Sequence, residues 1–215
     1  MVKLDIMSDP ICHWCYIGKT HLDRELEQRP DHPFLITWHP FQHNPDMPKG
    51  GMDRRDYLET KFGGKDAAVK AYAPVVENAE KAGLKINFEG IEKTPNTLYA
   101  HRLIHWAGIE GHQNAVVDAM FTAYFVEGRD IGDADILADF ADSCGMDASV
   151  VLRLLATDED RRDIVDRDPA APGMGVSSVP TFIVPSQNAV PGAQPTELCL
   201  QVMDDLARQG AAQDA

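Results

Sequence analysis

The sequence predicts an α/β protein in which two β-bearing ends build one sheet and an all-helical insertion lies between them. Three observations carry that expectation. Strand-like runs occur near both termini, at residues 2–7, 34–38 and 181–184. Helical periodicity fills the stretch from residue 53 to about residue 155. Two cysteines, Cys12 and Cys15, stand where the first strand gives way to the first helix.

Taken in order, residues 2–7 alternate polar and apolar side chains, the period of a half-buried strand. Ser8-Asp9-Pro10 then supplies turn and cap chemistry for a helix over residues 16–28. Arg29-Pro30-Asp31-His32-Pro33 breaks that helix, because proline has no N–H with which to continue the ladder. Phe34-Leu35-Ile36-Thr37-Trp38 follows as a second strand, rich in the β-branched and aromatic residues that fit a pleated surface. Helices are expected at 57–62, 67–82, 97–107, 114–125, 133–143 and 148–156, separated by Gly63-Gly64, Gly83, Gly108, Gly128 and Gly145. Thr181-Phe182-Ile183-Val184 restores the strand pattern, and Asn188-Ala189-Val190 offers it a partner across a turn at Pro185-Ser186-Gln187. Residues 196–208 read as a closing helix capped by Thr196, with Glu197 in its first turn, ahead of a frayed tail. The division that results is a discontinuous α/β domain of residues 1–42 and 173–215, with a helical insertion domain of residues 43–172 as a lid or second lobe.

Composition narrows the partners. With 44% hydrophobic residues over 215 positions the chain can bury a sizeable core. Its 34 acidic and 20 basic residues give a net charge of −14, which argues against nucleic acid or an anionic membrane as a partner. No secretory pattern opens the sequence, and no apolar run approaches the roughly 18–20 residues that span a bilayer. A cytoplasmic setting is therefore expected. In a reducing compartment Cys144 and Cys199 read as small buried hydrophobes rather than as a disulfide.

Cys12-His13-Trp14-Cys15 carries the chemistry. A cysteine at a helix start lies near unpartnered N–H groups and the positive end of the helix dipole, which favours thiolate over thiol. A second thiol one turn further in can then resolve a mixed disulfide on the first. Such a pair in a βα setting reads as a thioredoxin-like redox motif, whereas a structural zinc site needs a second close pair. His39 and His43 are spaced like metal ligands, with His13 or His21 as further donors, but no metal is expected.

Several separated segments carry a resemblance to a known superfamily. Ser8-Asp9-Pro10-Ile11-Cys12-His13-Trp14-Cys15-Tyr16-Ile17-Gly18, Trp38-His39-Pro40-Phe41-Gln42-His43-Asn44-Pro45-Asp46-Met47-Pro48 and Asn96-Thr97-Leu98-Tyr99-Ala100-His101-Arg102-Leu103 occur in order. Ala123-Tyr124-Phe125-Val126-Glu127-Gly128-Arg129-Asp130-Ile131 and Gly192-Ala193-Gln194-Pro195 follow them. Together they resemble the DsbA-like thioredoxin-fold superfamily, in particular its FrnE-like cytoplasmic branch, which is related to 2-hydroxychromene-2-carboxylate isomerases and kappa-class glutathione transferases. The resemblance spans nearly the whole chain. It implies a thioredoxin fold with a large all-helical insertion between its N-terminal and C-terminal halves. It also implies a cis-proline loop facing the cysteines, carried onto Val179-Pro180 within Gly175-Val176-Ser177-Ser178-Val179-Pro180-Thr181-Phe182, with substrate-binding as its role.

Three features depart from the branch's pattern. His13 stands where proline is usual after the first cysteine, so its imidazole is expected to add positive charge or a hydrogen bond to the Cys12 thiolate, unless it faces solvent. Ser178 and Thr181 replace the residues common around the proline. Asp168-Pro169-Ala170-Ala171-Pro172-Gly173 is expected to make an irregular connection where a helix is common.

The implied activity is thiol-disulfide exchange with protein or small-thiol substrates through Cys12 and Cys15, with His13 and Trp14 tuning the site. Trp14 is expected to shield the pair and pack against the lobe, or to dock substrate. No cofactor beyond the redox-active pair is implied, although glutathione is a candidate co-substrate. The alternative is a glutathione-dependent isomerase or transferase acting on a small aromatic or electrophilic substrate, with Asn96 and His101 lining its cleft. The oligomeric state is left open.

Overall fold

A computed structural model describes residues 1–173, 176, 178–184 and 189–193. The predicted closing helix, the 185–187 turn and Cys199 lie outside the described residues. Strand β1 (Val2–Ser8) runs parallel to β2 (Phe34–Pro40), with Ile6 opposite Trp38. On its other side β1 pairs antiparallel with β5 (Thr181–Ile183), which pairs with β6 (Val190–Pro191). The sheet order is β2-β1-β5-β6, so the two ends of the sequence share one sheet. As a central strand covered on both faces, β1 does not keep the alternation expected of it: Ile6, Met7 and Ser8 are all buried.

Helix α1 (His13–Gln28) connects β1 to β2. It begins earlier than its periodicity indicated, because its N-cap is Cys12 rather than a residue of Ser8-Asp9-Pro10. Between β2 and β5 lie α2 (Arg54–Phe62), α3 (Lys65–Lys81), α4 (Leu98–Glu110), α5 (Gln113–Thr122), α6 (Ala134–Ser143), α7 (Ala148–Leu155) and α8 (Arg161–Gly173). Asp53, Asp133 and Asp147 cap three of them by accepting first-turn N–H bonds.

Three details differ from the expected helical stretch. A two-residue strand pair, β3 (Met52–Asp53) with β4 (Lys93–Thr94), interrupts it, held at its end by the Arg54 N–H donating to Glu92 O at 2.9 Å. The helix expected over 114–125 closes instead in a π-helical turn, Ala123–Glu127, which ends at Gly128 in the left-handed region. A Cβ at Gly128 would lie 2.2 Å from Gly90 O, so only glycine fits there. Finally, α8 continues through Pro169 and Pro172, where an irregular connection was expected. A proline removes one helical hydrogen bond, and the fully buried Ile164 anchors the helix against the core despite that loss.

The core is centred on α4 and α5, where Ala100, Leu103, Ala107, Val116 and Met120 are fully buried. Gln113, at the start of α5, closes the open edge of β2. Its Oε1 accepts the Trp38 N–H at 2.9 Å and its Nε2 donates to Trp38 O at 3.1 Å. Among the described residues no helix is long and apolar enough to cross a membrane.

Candidate active site

The β1–α1 junction builds the site. Cys12 caps α1 with extended backbone (φ −84°, ψ 113°), and its sulfur accepts the Cys15 N–H at 3.3 Å. The cap atom is thus a sulfur placed at the positive end of a helix, where an anion is favoured. Burial pushes the Cys12 thiol up, but hydrogen bonds from Cys15 and His43, together with the His43 charge, outweigh it and bring the thiol to about 5. Cys15 is almost wholly buried. Burial, then the hydrogen bond and charge of Cys12, raise its thiol well above the ordinary value. The pair therefore divides into an acidic thiol and a reluctant one.

The loop before β5 lies against this pair. The Val179–Pro180 peptide is cis, and Cys12 Sγ lies 3.7 Å from Val179 O. Gly18, on the second turn of α1, lets the loop come close: a Cβ there would meet Pro180 Cγ at 3.0 Å. Trp14 is half-buried and packs against Ile17, Ala79 and Ala82, where α1 meets α3.

His13 corrects the sequence expectation on both counts. It neither faces solvent nor charges the thiolate. Its ring is buried, stacked on Phe88 at 5.6 Å and tilted against Phe125 at 4.7 Å. Burial, then the charges of Arg54 and His43, push its pKa down to about 3. The neutral Nε2 accepts from Arg54 Nη2 at 3.4 Å. Arg54, itself buried, also donates to the hydroxyls of Tyr72 and Tyr124, each at 3.3 Å.

The other histidines divide in the same way. His39 Nε2 bonds Asp5 Oδ1 at 2.7 Å, so it does not join His43 as a ligand pair. His43 stands beside Cys12 with its backbone N–H donating to Asp9 Oδ2 at 2.7 Å. Desolvation opposes its charge, yet the hydrogen bond to Cys12 and the negative charges of Asp9 and Cys12 raise its pKa. Asp9 is fully buried; burial raises its carboxyl against the opposing pull of His101 and His43. His101 Nε2 lies 4.0 Å from Asp9 Oδ1, and burial depresses that ring.

A cleft of about 830 Å³ opens beside the loop that carries His43, with Phe41, Gln42, Met47, Asn96, Tyr99 and Asp168 in its wall. The two residues expected to share a cleft are separated. Asn96 lines it, its Nδ2 donating to Met47 O at 2.6 Å and its Oδ1 accepting the Leu98 N–H at 3.0 Å. His101 is buried beneath, next to Asp9. Cys144 closes α6 at its C-cap, half-buried rather than in the core.

Asp9, His43 and Arg54 were missed as site residues. In the sequence Asp9 reads only as turn chemistry. The signal for His43 was its place just past the carboxyl end of β2, parallel to the strand that delivers Cys12, since functional loops gather at the carboxyl ends of parallel strands. Nothing in the sequence marked Arg54.

A mixed sheet, a dithiol at a helix start and a cis-proline loop against it define a thioredoxin-like protein. The profile of the DSBA-like thioredoxin domain matches residues 3–204, and the chain belongs to that family. A probable DsbA oxidoreductase from Streptomyces coelicolor superposes with a TM-score of 0.84 at 26% identity, covering 95% of this chain and 89% of that one. A 2-hydroxychromene-2-carboxylate isomerase shares the fold at a TM-score of 0.73 and 17% identity, covering 99% of this chain and 100% of the other. The cytosolic disulfide reductase DsbM from Pseudomonas aeruginosa, in a structure with GSH, shares it at 0.64 and 19%, with 98% of each chain covered. In sequence, the Bacillus subtilis protein YwbO is 25% identical over 208 residues, 95% of this chain and 96% of that protein.

Proposed function

We propose that the chain is a thiol-disulfide oxidoreductase that exchanges disulfides with protein or small-thiol substrates through Cys12 and Cys15. The observation that carries this reading is the asymmetry of the pair: Cys12 caps α1 with its thiol held at about 5, while the thiol of Cys15 is raised. In the reducing direction Cys12 thiolate attacks one sulfur of a substrate disulfide and the other leaves as a thiolate. Cys15 then attacks Cys12 Sγ, its proton passing to the second departing sulfur, so the substrate gains two electrons and the pair becomes a disulfide. Oxidation of a dithiol is the reverse. An acidic Cys12 stabilises the reduced protein and so makes the disulfide the stronger oxidant.

Val179 and Pro180 are assigned to substrate binding, because the Val179 carbonyl lies beside the reacting sulfur. The helical insertion walls the substrate cleft through α4 and α8. A cytoplasmic setting, with glutathione as one small-thiol co-substrate, belongs to the same reading. The isomerase or transferase reading draws on the cleft, whose size suits a small molecule with Asn96 in its wall. It makes no use of Cys15.

Dithiothreitol-dependent reduction of insulin separates the two. Loss of turnover in both Cys12→Ser and Cys15→Ser is the result expected of the oxidoreductase. Full activity in Cys15→Ser would contradict it.

A further inference from the structure

We propose that His43 is a catalytic residue of the exchange reaction, holding the positive charge opposite the Cys12 thiolate and giving its proton to the first leaving sulfur. This rests on the oxidoreductase reading of Cys12 and adds to it a proton donor from outside the Cys-x-x-Cys segment.

The placement of His43 is fixed by backbone hydrogen bonds. After β2 the chain is tied twice to the β1–α1 turn: the Phe41 N–H donates to Ser8 O at 3.1 Å, and the His43 N–H donates to Asp9 Oδ2 at 2.7 Å. The Phe41 ring meets the His43 ring edge-on at 5.6 Å. The same aspartate holds both residues, since the Cys12 N–H donates to Asp9 O at 2.9 Å, so these contacts seat the imidazole on the turn that carries the Cys12 sulfur. His43 is exposed whereas Cys12 is buried, so its proton exchanges with water.

The charges around it fit an imidazolium. Asp9 and Cys12 face it from the β1–α1 turn, His13 from α1, Lys61 from α2, His101 from α4 and Asp168 from α8. The carboxyls of Asp9 and Asp168, both raised by burial, and the Cys12 thiolate are set against a single lysine. His13 and His101 are both pushed toward the neutral form. Against the desolvation that opposes it, the pull of Cys12 and Asp9 raises the His43 pKa, which is the behaviour of a ring paired with an anion.

Attack by Cys12 consumes the thiolate and so removes the charge that holds the His43 proton. The substrate sulfur that departs becomes the new thiolate beside it. Transfer of the proton from His43 yields a free thiol and a neutral imidazole, with no net change in charge at the site. When Cys15 closes the disulfide, its own proton balances the second departing sulfur.

The test uses the full chain as wild type, His43→Leu and His43→Arg. For each, thiolate absorbance near 240 nm and the rate of Cys12 alkylation are followed against pH, together with insulin reduction. His43→Leu is expected to lower the fraction of Cys12 thiolate at pH 6 by about tenfold, the effect of a rise of about two units from its value of about 5. His43→Arg keeps the charge but has no proton to give, so it should retain the acidic Cys12 and still turn over more slowly. Unchanged Cys12 titration in His43→Leu, with wild-type turnover intact, would overturn the role of His43 and leave the oxidoreductase reading standing. A wild-type Cys12 that shows no acidic titration and no turnover would overturn both.

Discussion

His13 follows Cys12 directly, yet its chemistry is set by what lies behind it. Phe88, Tyr72 and Phe125 surround the ring, and Arg54 donates to its Nε2. Burial first and the Arg54 charge second keep the ring neutral down to about pH 3. The sign for stability follows: an unfolded His13 takes up a proton below about pH 6.5, the folded one refuses it, and so stability is lost as pH falls from about 6.5 toward 3. His13→Phe removes that part of the acid sensitivity. At neutral pH the variant should lose about 1–3 kcal/mol, because the buried Arg54 loses an acceptor. Urea unfolding at pH 4 and pH 7 measures both effects, and Cys12 alkylation at pH 7 should change little beside that of His43→Leu. At this scale the sequence singles out Cys12 and Cys15 as the candidate pair, since their spacing alone carries chemistry. It did not reveal which histidine faces the sulfur. That depends on the direction of the His13 side chain and on a loop 31 positions later in the chain.

Helix α1 shows what is legible about an element and what is not. Its end is marked in the sequence by Arg29-Pro30, but its start is set by a cysteine sulfur acting as the cap, a role no propensity assigns to that residue. Gly18 looks like a weak point in a helix interior, where glycine costs about 1 kcal/mol relative to alanine. Its use is tertiary: the Pro180 ring lies where a side chain would be. Gly18→Val should therefore destabilise the fold by roughly 2 kcal/mol or more through overpacking, seen as a lower melting temperature. It should also slow disulfide exchange by displacing the Val179–Pro180 loop. Unaltered exchange in a folded Gly18→Val protein would count against the loop's role. Helices α4 and α6 were readable from apolar periodicity. Helix α8 was not, because Pro169 and Pro172 masked a segment held by tertiary contacts. The connection that leads into α8 is held by Arg102, whose Nη2 donates to Leu154 O at 2.7 Å and whose Nε donates to Glu159 O at 2.9 Å.

For the molecule as a whole, the oxidoreductase reading couples the redox state of the pair to folding. A reduced Cys12 titrates near 5 in the folded protein and near 9 when exposed. An acid whose folded pKa is depressed adds stability that is complete above its unfolded pKa and is lost as pH falls through its folded one. Cys15 has its folded value raised, so it matters only above about 9. Asp9 is present in both redox states and largely cancels from their difference. The reduced protein should therefore gain stability relative to the oxidised protein as pH rises from about 5 to 9, reaching roughly 2–3 kcal/mol at pH 7. Melting temperatures of the two forms at pH 5 and pH 7 test this. A gap independent of pH would mean that Cys12 is not a stabilised thiolate. The joining of the two ends of the sequence into one sheet was legible because strand patterns flank a helical block. The cleft was not, since its wall draws on residues from 41 to 168 that only packing brings together.

The most direct measurement is a redox titration of the full chain against glutathione and its disulfide, with the cysteine pairing mapped by mass spectrometry at each ratio. The oxidoreductase reading predicts that Cys12 and Cys15 interconvert as one two-electron couple, with a potential above the roughly −300 mV below which structural disulfides resist the glutathione pool. A pair that stays wholly reduced across the titration, or a disulfide that links Cys12 to any residue other than Cys15, would contradict it.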